Sequence, residues 1–345
     1  MRVKTNFENI VKNISFLKNR LNDGVKFCGV VKANAYGHGL VEVSQYIQND
    51  VDFLAVARLE EALALRCGNV CTKILVLNPL KKSEIKTAAK HDISFAVDDE
   101  ENFDEIAKCG SKIHVKLDTG MNRLGIKEDK AFFDFFYKLK KFGIVPDGVF
   151  SHFAASIRKS PEKMFLQFCD FNKKAEILKE TYPDIIRHIS ASDAMYFCPA
   201  FQCDMVRSGI FMYGCGAEGL LPCKFSSAEV VETKDVCAGE SVGYEMKFVA
   251  EKDMRIAVVN CGYGDGLPRS YSKGGKFLTK NGFCKIIGNV CMDLTMIEDK
   301  TKSLKKGDEV IILGDNGKKS VKADDMAKIC DTIPYEIVCN LRNRR

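Results

Sequence analysis

From residue 26 to residue 210 the chain repeats one pattern: a short, apolar, β-rich run, then a helix-like or polar connection. The runs are KFCGVV (26–31), DFLAVA (52–57), TKILVL (72–77), ISFAVD (93–98), KIHVKL (112–117), GVFSHF (148–153), IIRHIS (185–190) and MVRSGI (205–210). The connections include EEALALRC and PEKMFLQFCDFNKKAEILKE, whose apolar residues recur at helical spacing. Such alternation builds parallel sheet, because each crossover returns the chain to the same end of the sheet. Eight strands over about 200 residues suit a closed (β/α)8 barrel, the TIM barrel. A doubly wound open sheet is the alternative. It usually has fewer strands, and no GxGxxG follows the first run to mark a dinucleotide site.

The texture changes near residue 222. AEVVET, RIAVVN, CKIIGN and EVIILG are then separated by Gly, Asn and Asp turns, and helical spacing returns only at KADDMAKIC. We therefore expect a barrel over 1–222 and a β-rich domain over 223–345. Ahead of the first run, MRVKTNFENIVKNI reads as a brief strand and a helix with Ile10, Val11, Ile14, Leu17 and Leu21 on one face. It lacks the pattern of a secretory signal, and no apolar run reaches bilayer length, so a cytoplasmic protein with no membrane partner is expected. The fifteen cysteines are odd in number and include no CxxC pair. Several lie in apolar runs (Cys28, Cys169, Cys261, Cys291), which predicts reduced core thiols rather than disulfides or a metal site. The net charge of +6 is dispersed, and the cluster Arg342–Arg345 is too short to imply nucleic acid.

In a barrel, polar residues at the C-terminal strand ends form the active site. The first run ends at Lys32 and the fifth carries Lys116, followed by TGMNRLG with Arg123. The sixth carries His152, the seventh runs toward Ser192, and the eighth contains Arg207 with Gly209 and Ile210 behind it. Each has an ordinary reading alone: a solvated lysine at a strand end, a satisfied core histidine. Lys116 and Arg207 resist it, because unpaired cations inside apolar strands are costly. A lysine, two arginines, a histidine and a phosphate pocket after the last two strands suit pyridoxal 5'-phosphate held covalently by lysine.

The motifs KANAYGHG, KLDTGMNRLG, SHFA, MVRSGI with MYG, CGYGDG, GNVCMD and PYEIVC follow the order and approximate spacing of the alanine racemases, which the chain resembles over nearly its whole length. The resemblance implies a pyridoxal phosphate barrel, a β domain, a small amino-acid substrate and a homodimer with shared active sites. On it, Lys32 is the Schiff-base lysine and one of two proton-transfer bases. Tyr36, Ser192, the Gly209 and Ile210 backbone and Tyr335 contact the phosphate. Arg207 faces the pyridine nitrogen, with His188 supporting it and His152 near the ring. Arg123 binds the phenolic oxygen and the substrate carboxylate, and Lys116 matches a position often carbamylated.

Inverting a stereocentre needs a second base on the opposite face, and the resemblance gives this role to Tyr244, reaching in from the neighbouring subunit. Tyr263 and the Met292 backbone then line the substrate entrance and carboxylate pocket. The chain departs from the family's usual pattern at Ala191, Ser208, Asn289 and Leu294. Serine or broader racemisation, a decarboxylase of the same architecture, and a single-barrel pyridoxal phosphate carrier are the rivals. The carrier has no use for Tyr244.

Overall fold

The computed structural model describes residues 1–343, so the end of the cluster Arg342–Arg345 lies outside the described residues. The chain forms two compact units. One comprises Val11–Ala35 and Leu40–Met212; the other comprises Met1–Ile10, Tyr36–Gly39 and the chain from Tyr213 onward.

In the first unit every expected run becomes a strand. After the N-terminal strand β1 (Arg2–Thr5) come β2 (Lys26–Val30), β3 (Phe53–Val56), β4 (Lys73–Pro79), β5 (Ile93–Val97), β6 (Ile113–Lys116), β7 (Gly148–Phe150), β8 (Ile186–His188) and β9 (Met205–Ser208). Strands β2 to β8 pair in parallel with their sequence neighbours, and β9 returns to pair with β2, Cys28 opposite Arg207. A bridge between Ala191 and Arg207 joins the chain beyond β8 to β9 and closes the TIM barrel. Strands such as β3 and β5 are buried at every residue, as expected where a parallel sheet is covered on both faces. The helix Asp129–Lys141 buries Phe132, Phe135 and Leu139, one stripe at helical spacing.

The N-terminal helix Phe7–Lys18 buries Ile10, Ile14 and Leu17, whereas Leu21 lies past its end. No disulfide is formed among the described residues, and the cysteines are not all core residues: Cys28 and Cys261 are buried, Cys291 is half-buried and Cys169 is exposed. Cys169 lies on the helix Pro161–Thr181, whose buried positions Met164, Gln167, Phe171, Ala175 and Leu178 follow the helical period and leave residue 169 outside.

After Lys32 the chain makes a helical turn over Lys32–Gly37, with Ala33, Asn34, Ala35 and Tyr36 at φ 55°, 56°, 52° and 54° and Gly37 at 77°. That turn is left-handed. For residues carrying a Cβ this hand costs about 1–2 kcal/mol each, so local bonds must hold it. In the barrel unit Ala33 N–H donates to Glu61 Oε1 at 2.7 Å and Leu40 N–H to Asn34 Oδ1 at 2.8 Å. In the second unit the buried ammonium of Lys224 donates to Gly37 O at 2.8 Å and to Val338 O at 2.5 Å.

The second unit is built on an antiparallel sheet. Strand β1 pairs with β10 (Lys224–Val236), Arg2 opposite Ser227, and β10 also pairs with both Met254–Val259 and Glu309–Asp315. The sheet runs on through Thr295–Glu298, Gly282–Ile287 and Lys276–Thr279 back to Glu309–Asp315, so it closes on itself. Val242, Ala250, Ile256 and Met296 form one buried cluster in this unit. Helices Ala323–Cys330 and Pro334–Asn340 end the described chain.

Gly37 tests the left-handed turn. A Cβ there would lie 2.7 Å from Val338 O, whereas one at the positive-φ Gly110 meets nothing within 4 Å. Both substitutions strain the backbone, but Gly37→Ala also collides, so it should destabilise by about 2–4 kcal/mol against about 1 kcal/mol for Gly110→Ala. Urea unfolding midpoints of the two variants give the comparison. Equal losses would mean that the packing around Gly37 is not what holds the turn.

Candidate active site

The polar residues gather where the barrel strands end. Lys32 stands one residue past the Val31 N–H, which is bonded to Ala55 O at 2.8 Å, and so opens the left-handed turn from a fixed base. Lys116 ends β6 and is buried; its ammonium donates to Leu77 O at 3.0 Å and lies 5.5 Å from the centre of the Phe150 ring. Burial first, and the Arg123 charge next, push its pKa down to about 8. The charge of Lys32 acts in the same direction on Lys116 and on His152.

Beyond β6, Asp118 Oδ1 accepts the N–H groups of Gly120 at 2.9 Å and Asn122 at 3.0 Å. Ile126 N–H donates back to Lys116 O at 2.9 Å and Asp118 N–H to Ile126 O at 3.0 Å. A side-chain carboxylate and a short parallel bridge thus close the TGMNRLG segment into a fixed loop, with Arg123 on its exposed part.

Arg207 lies on β9 and is 4% exposed. Its Nη1 donates to His188 Nδ1 at 2.7 Å and His188 O at 2.9 Å; its Nη2 donates to Ser151 O at 2.7 Å, Ile189 O at 3.1 Å and His152 Nδ1 at 3.2 Å. Each of these acceptors is uncharged. Burial lowers the guanidinium pKa to about 10, which leaves it protonated at neutral pH. The histidines stay neutral: His152 is pushed down to about 3, mainly by desolvation and then by Arg207, and His188 lies well below 6.5 for the same two reasons. Phe150 stacks on His188 with ring centres 5.0 Å apart and faces the Arg207 guanidinium at 5.4 Å. Ser192 Oγ accepts the Gly209 N–H at 3.0 Å, and Ile210 follows, buried.

The remaining sequence-expected residues lie in the second unit. The rings of Tyr36 and Tyr335 are 5.8 Å apart, and burial, with the neighbouring Tyr335 phenol, raises the Tyr36 hydroxyl pKa far above its ordinary value. Tyr244, Met292 and Tyr263 are 69%, 54% and 42% exposed. Their loops are bonded together: Tyr263 N–H to Cys291 O at 3.0 Å, Gly264 N–H to Met292 O at 2.9 Å, and Asn289 Nδ2 to Tyr244 O at 3.4 Å.

Sequence reasoning passed over His114, Phe150, Ser151 and Lys224, all of which hold the site's geometry. Two of them had a signal. His114 stands two residues before Lys116 on one strand, hence on the same face, and Phe150 stands two before His152.

A closed barrel with lysine, arginine and histidine at the C-terminal strand ends, followed by a β unit, defines an enzyme of the TIM-barrel class. Residues 5–216 match the alanine racemase N-terminal domain family and residues 225–345 the alanine racemase C-terminal domain family. The chain is 36% identical to alanine racemase 2 of Caldanaerobacter subterraneus, covering 99% of this chain and 93% of that protein. It is also 36% identical to the alanine racemase of Clostridium tetani, over 98% and 92%. Among solved structures it resembles alanine racemase from Clostridium difficile (TM-score 0.89, 32% identity, 99% and 93% covered). The alanine racemase from Bacillus anthracis with bound L-Ala-P is equally similar (TM-score 0.89, 30% identity, 98% and 92% covered). The chain belongs to the alanine racemase family.

The neutral histidines make the fold sensitive to acid. Unfolded, His114 and His152 take a proton near 6.5; folded, they decline it until about pH 3. The unfolded chain therefore binds more protons across that window, so stability falls as pH drops from 6.5 toward 3. Each group contributes up to about 1.4 kcal/mol per pH unit. Unfolding free energies measured from pH 7 to pH 5 should show this slope, reduced by about one proton in His152→Asn. A flat profile would mean that these imidazoles take up a proton in the folded protein as readily as in the unfolded chain.

Proposed function

We propose that the chain interconverts L-alanine and D-alanine with pyridoxal phosphate, using Lys32 and Tyr244 as the two bases. The observation that carries this reading is the buried Arg207 guanidinium, kept charged among uncharged acceptors at the closing seam of the barrel. Arginine donates and does not surrender its proton. A ring nitrogen held against it would therefore stay unprotonated, which would discourage side reactions.

The donor set fits the cofactor. An amine on Lys32 would hold it; Ser192, the Gly209 and Ile210 backbone, Tyr36 and Tyr335 would bind its phosphate; and His152 would lie beside its ring. When bound, pyridoxal phosphate supplies the means to spread the charge left at Cα when its proton is removed. The chain's part is to orient the substrate and move protons. Arg123 would bind the substrate carboxylate, Lys32 would exchange a proton on one face, and the Tyr244 hydroxyl would exchange one on the other. We assign Tyr244, Tyr263 and Met292 to the active site of a second copy of the chain. Their exposure in the single chain, on loops already bonded to one another, supports a partner surface there.

Lys116 is proposed as a carbamate. The reaction joins carbon dioxide to the neutral amine with release of one proton, and a pKa near 8 makes the neutral form abundant in mild alkali. The product is an anion beside Arg123, which it would orient.

Purified, pyridoxal phosphate-loaded protein incubated with L-alanine should yield D-alanine, scored by chiral chromatography. Lys32→Ala and Tyr244→Phe should each lose at least about 100-fold in kcat, the scale of a removed acid or base. Dominant D-serine production in a parallel L-serine reaction would move the substrate and keep the chemistry. Carbon dioxide release from a basic amino acid, without inversion of either, would overturn the reading. Separately, 13C-bicarbonate at pH 8 should give a carbamate carbon resonance that Lys116→Ala lacks; its absence in the unmodified protein removes the carbamate from the account.

A further inference from the structure

Behind Arg207 the structure holds a second buried histidine that the reaction, as read so far, does not use. His114 on β6 and His188 on β8 are both fully buried, and His188 Nε2 lies 2.8 Å from His114 Nδ1. The rings meet edge to face at 5.1 Å. Strand β7 makes room by having no side chain there: a Cβ on Gly148 would collide with His114 Nδ1.

The direction of every bond in this chain follows from its first member. A guanidinium can only donate, so His188 Nδ1 must accept from Arg207 Nη1 at 2.7 Å and carries no proton. A neutral His188 then bears its proton on Nε2 and donates it to His114 Nδ1. His114, neutral in turn, bears its proton on Nε2, and that atom has no hydrogen-bond partner among the described residues. An imidazole serving only as packing would do better as an aliphatic side chain, which has no buried donor to leave unmet. What the imidazole does supply is an acceptor for the His188 proton, and so a single permitted tautomer of His188.

We propose that His114 is a positioning residue for the reaction: it fixes the tautomer of His188, and through it the aim and hydrogen bonding of Arg207. The inference rests on the racemase reading for its consequence in catalysis, but not for the chain of bonds. Without an acceptor at Nδ1 of residue 114, the Nε2 proton of His188 is orphaned. The alternative tautomer then places N–H against the Arg207 donor and breaks that contact. Asparagine sets its Oδ1 where the histidine sets Nδ1, so it keeps the acceptor; leucine does not.

The chain contains five histidines, few enough to resolve individually in a long-range 1H–15N correlation on 15N-histidine-labelled protein. At pH 7.5 the full-length protein should show His188 with a pyrrole-type Nε2 and a pyridine-type Nδ1, and the same tautomer for His114. In His114→Leu the His188 pattern should change and kcat with alanine should fall about tenfold with KM little altered. His114→Asn should restore both. An Nδ1–H tautomer or an imidazolium at His188 in the unsubstituted protein overturns the proposal, as does an unchanged His188 pattern in His114→Leu. The unsubstituted measurement decides even if His114→Leu fails to fold. Absence of alanine racemisation beside the expected 15N pattern would sink the functional reading and leave the bond order in place.

Discussion

The Arg207 guanidinium is the interaction on which the C-terminal strand ends of the barrel depend. A cation inside apolar strands loses its hydration, and no carboxylate compensates it among its recorded partners. Its stabilisation comes from backbone carbonyls after β7 and on and after β8, at Ser151, His188 and Ile189, and from two imidazoles. One side chain of β9 therefore ties together the ends of the two preceding strands, where the barrel closes. The same requirement sets the state of the histidines: a charged imidazole at 2.7 Å would turn an acceptor into a repelling donor. Neutral histidines and a charged arginine are one arrangement, and its chemical product is a fixed donor that keeps its proton.

A second constraint sits at the other side of the seam, after β2. Left-handed backbone over four residues with Cβ atoms stores strain at the point where Lys32 leaves the strand. The strain persists because each exit is blocked. Glu61 binds the Ala33 N–H with one oxygen and the Ala57 N–H with the other, at 2.7 and 2.8 Å. Within the second unit, Lys224, whose pKa burial lowers to about 8, holds the Gly37 carbonyl. A helix of the ordinary hand would direct the residues after Lys32 elsewhere, so the strained turn sets the path from Lys32 to Tyr36.

The barrel strands were legible because buried parallel strands read as continuous apolar runs, and all eight fell where those runs lie. Lys116 and Arg207 were legible for the complementary reason, as cations where a strand has no place for them. The left-handed turn was not. Ala33, Asn34 and Ala35 carry no signal for positive φ; Glu61 lies 28 residues from the Ala33 amide it binds. Lys224 begins a strand and reads as an ordinary strand-edge lysine until its burial is known. Cys169 misled because the apolar run around it is a helix, and a run says nothing of which face a residue takes. Tyr244, Tyr263 and Met292 came from resemblance alone, since exposed residues on loops of the second unit follow no period.

The central claim is that one racemising centre needs Lys32 of one chain and Tyr244 of another. Mixing the two inactive variants, Lys32→Ala and Tyr244→Phe, under conditions that exchange subunits tests it directly. In the mixed dimer one centre would lack both bases and the other would have both, because the intact lysine and the intact tyrosine come from different chains. Random exchange should then restore about a quarter of the unsubstituted activity. Recovery on that scale supports a shared centre; a mixture that exchanges subunits and stays inactive contradicts it, because both bases would then have to come from the same chain.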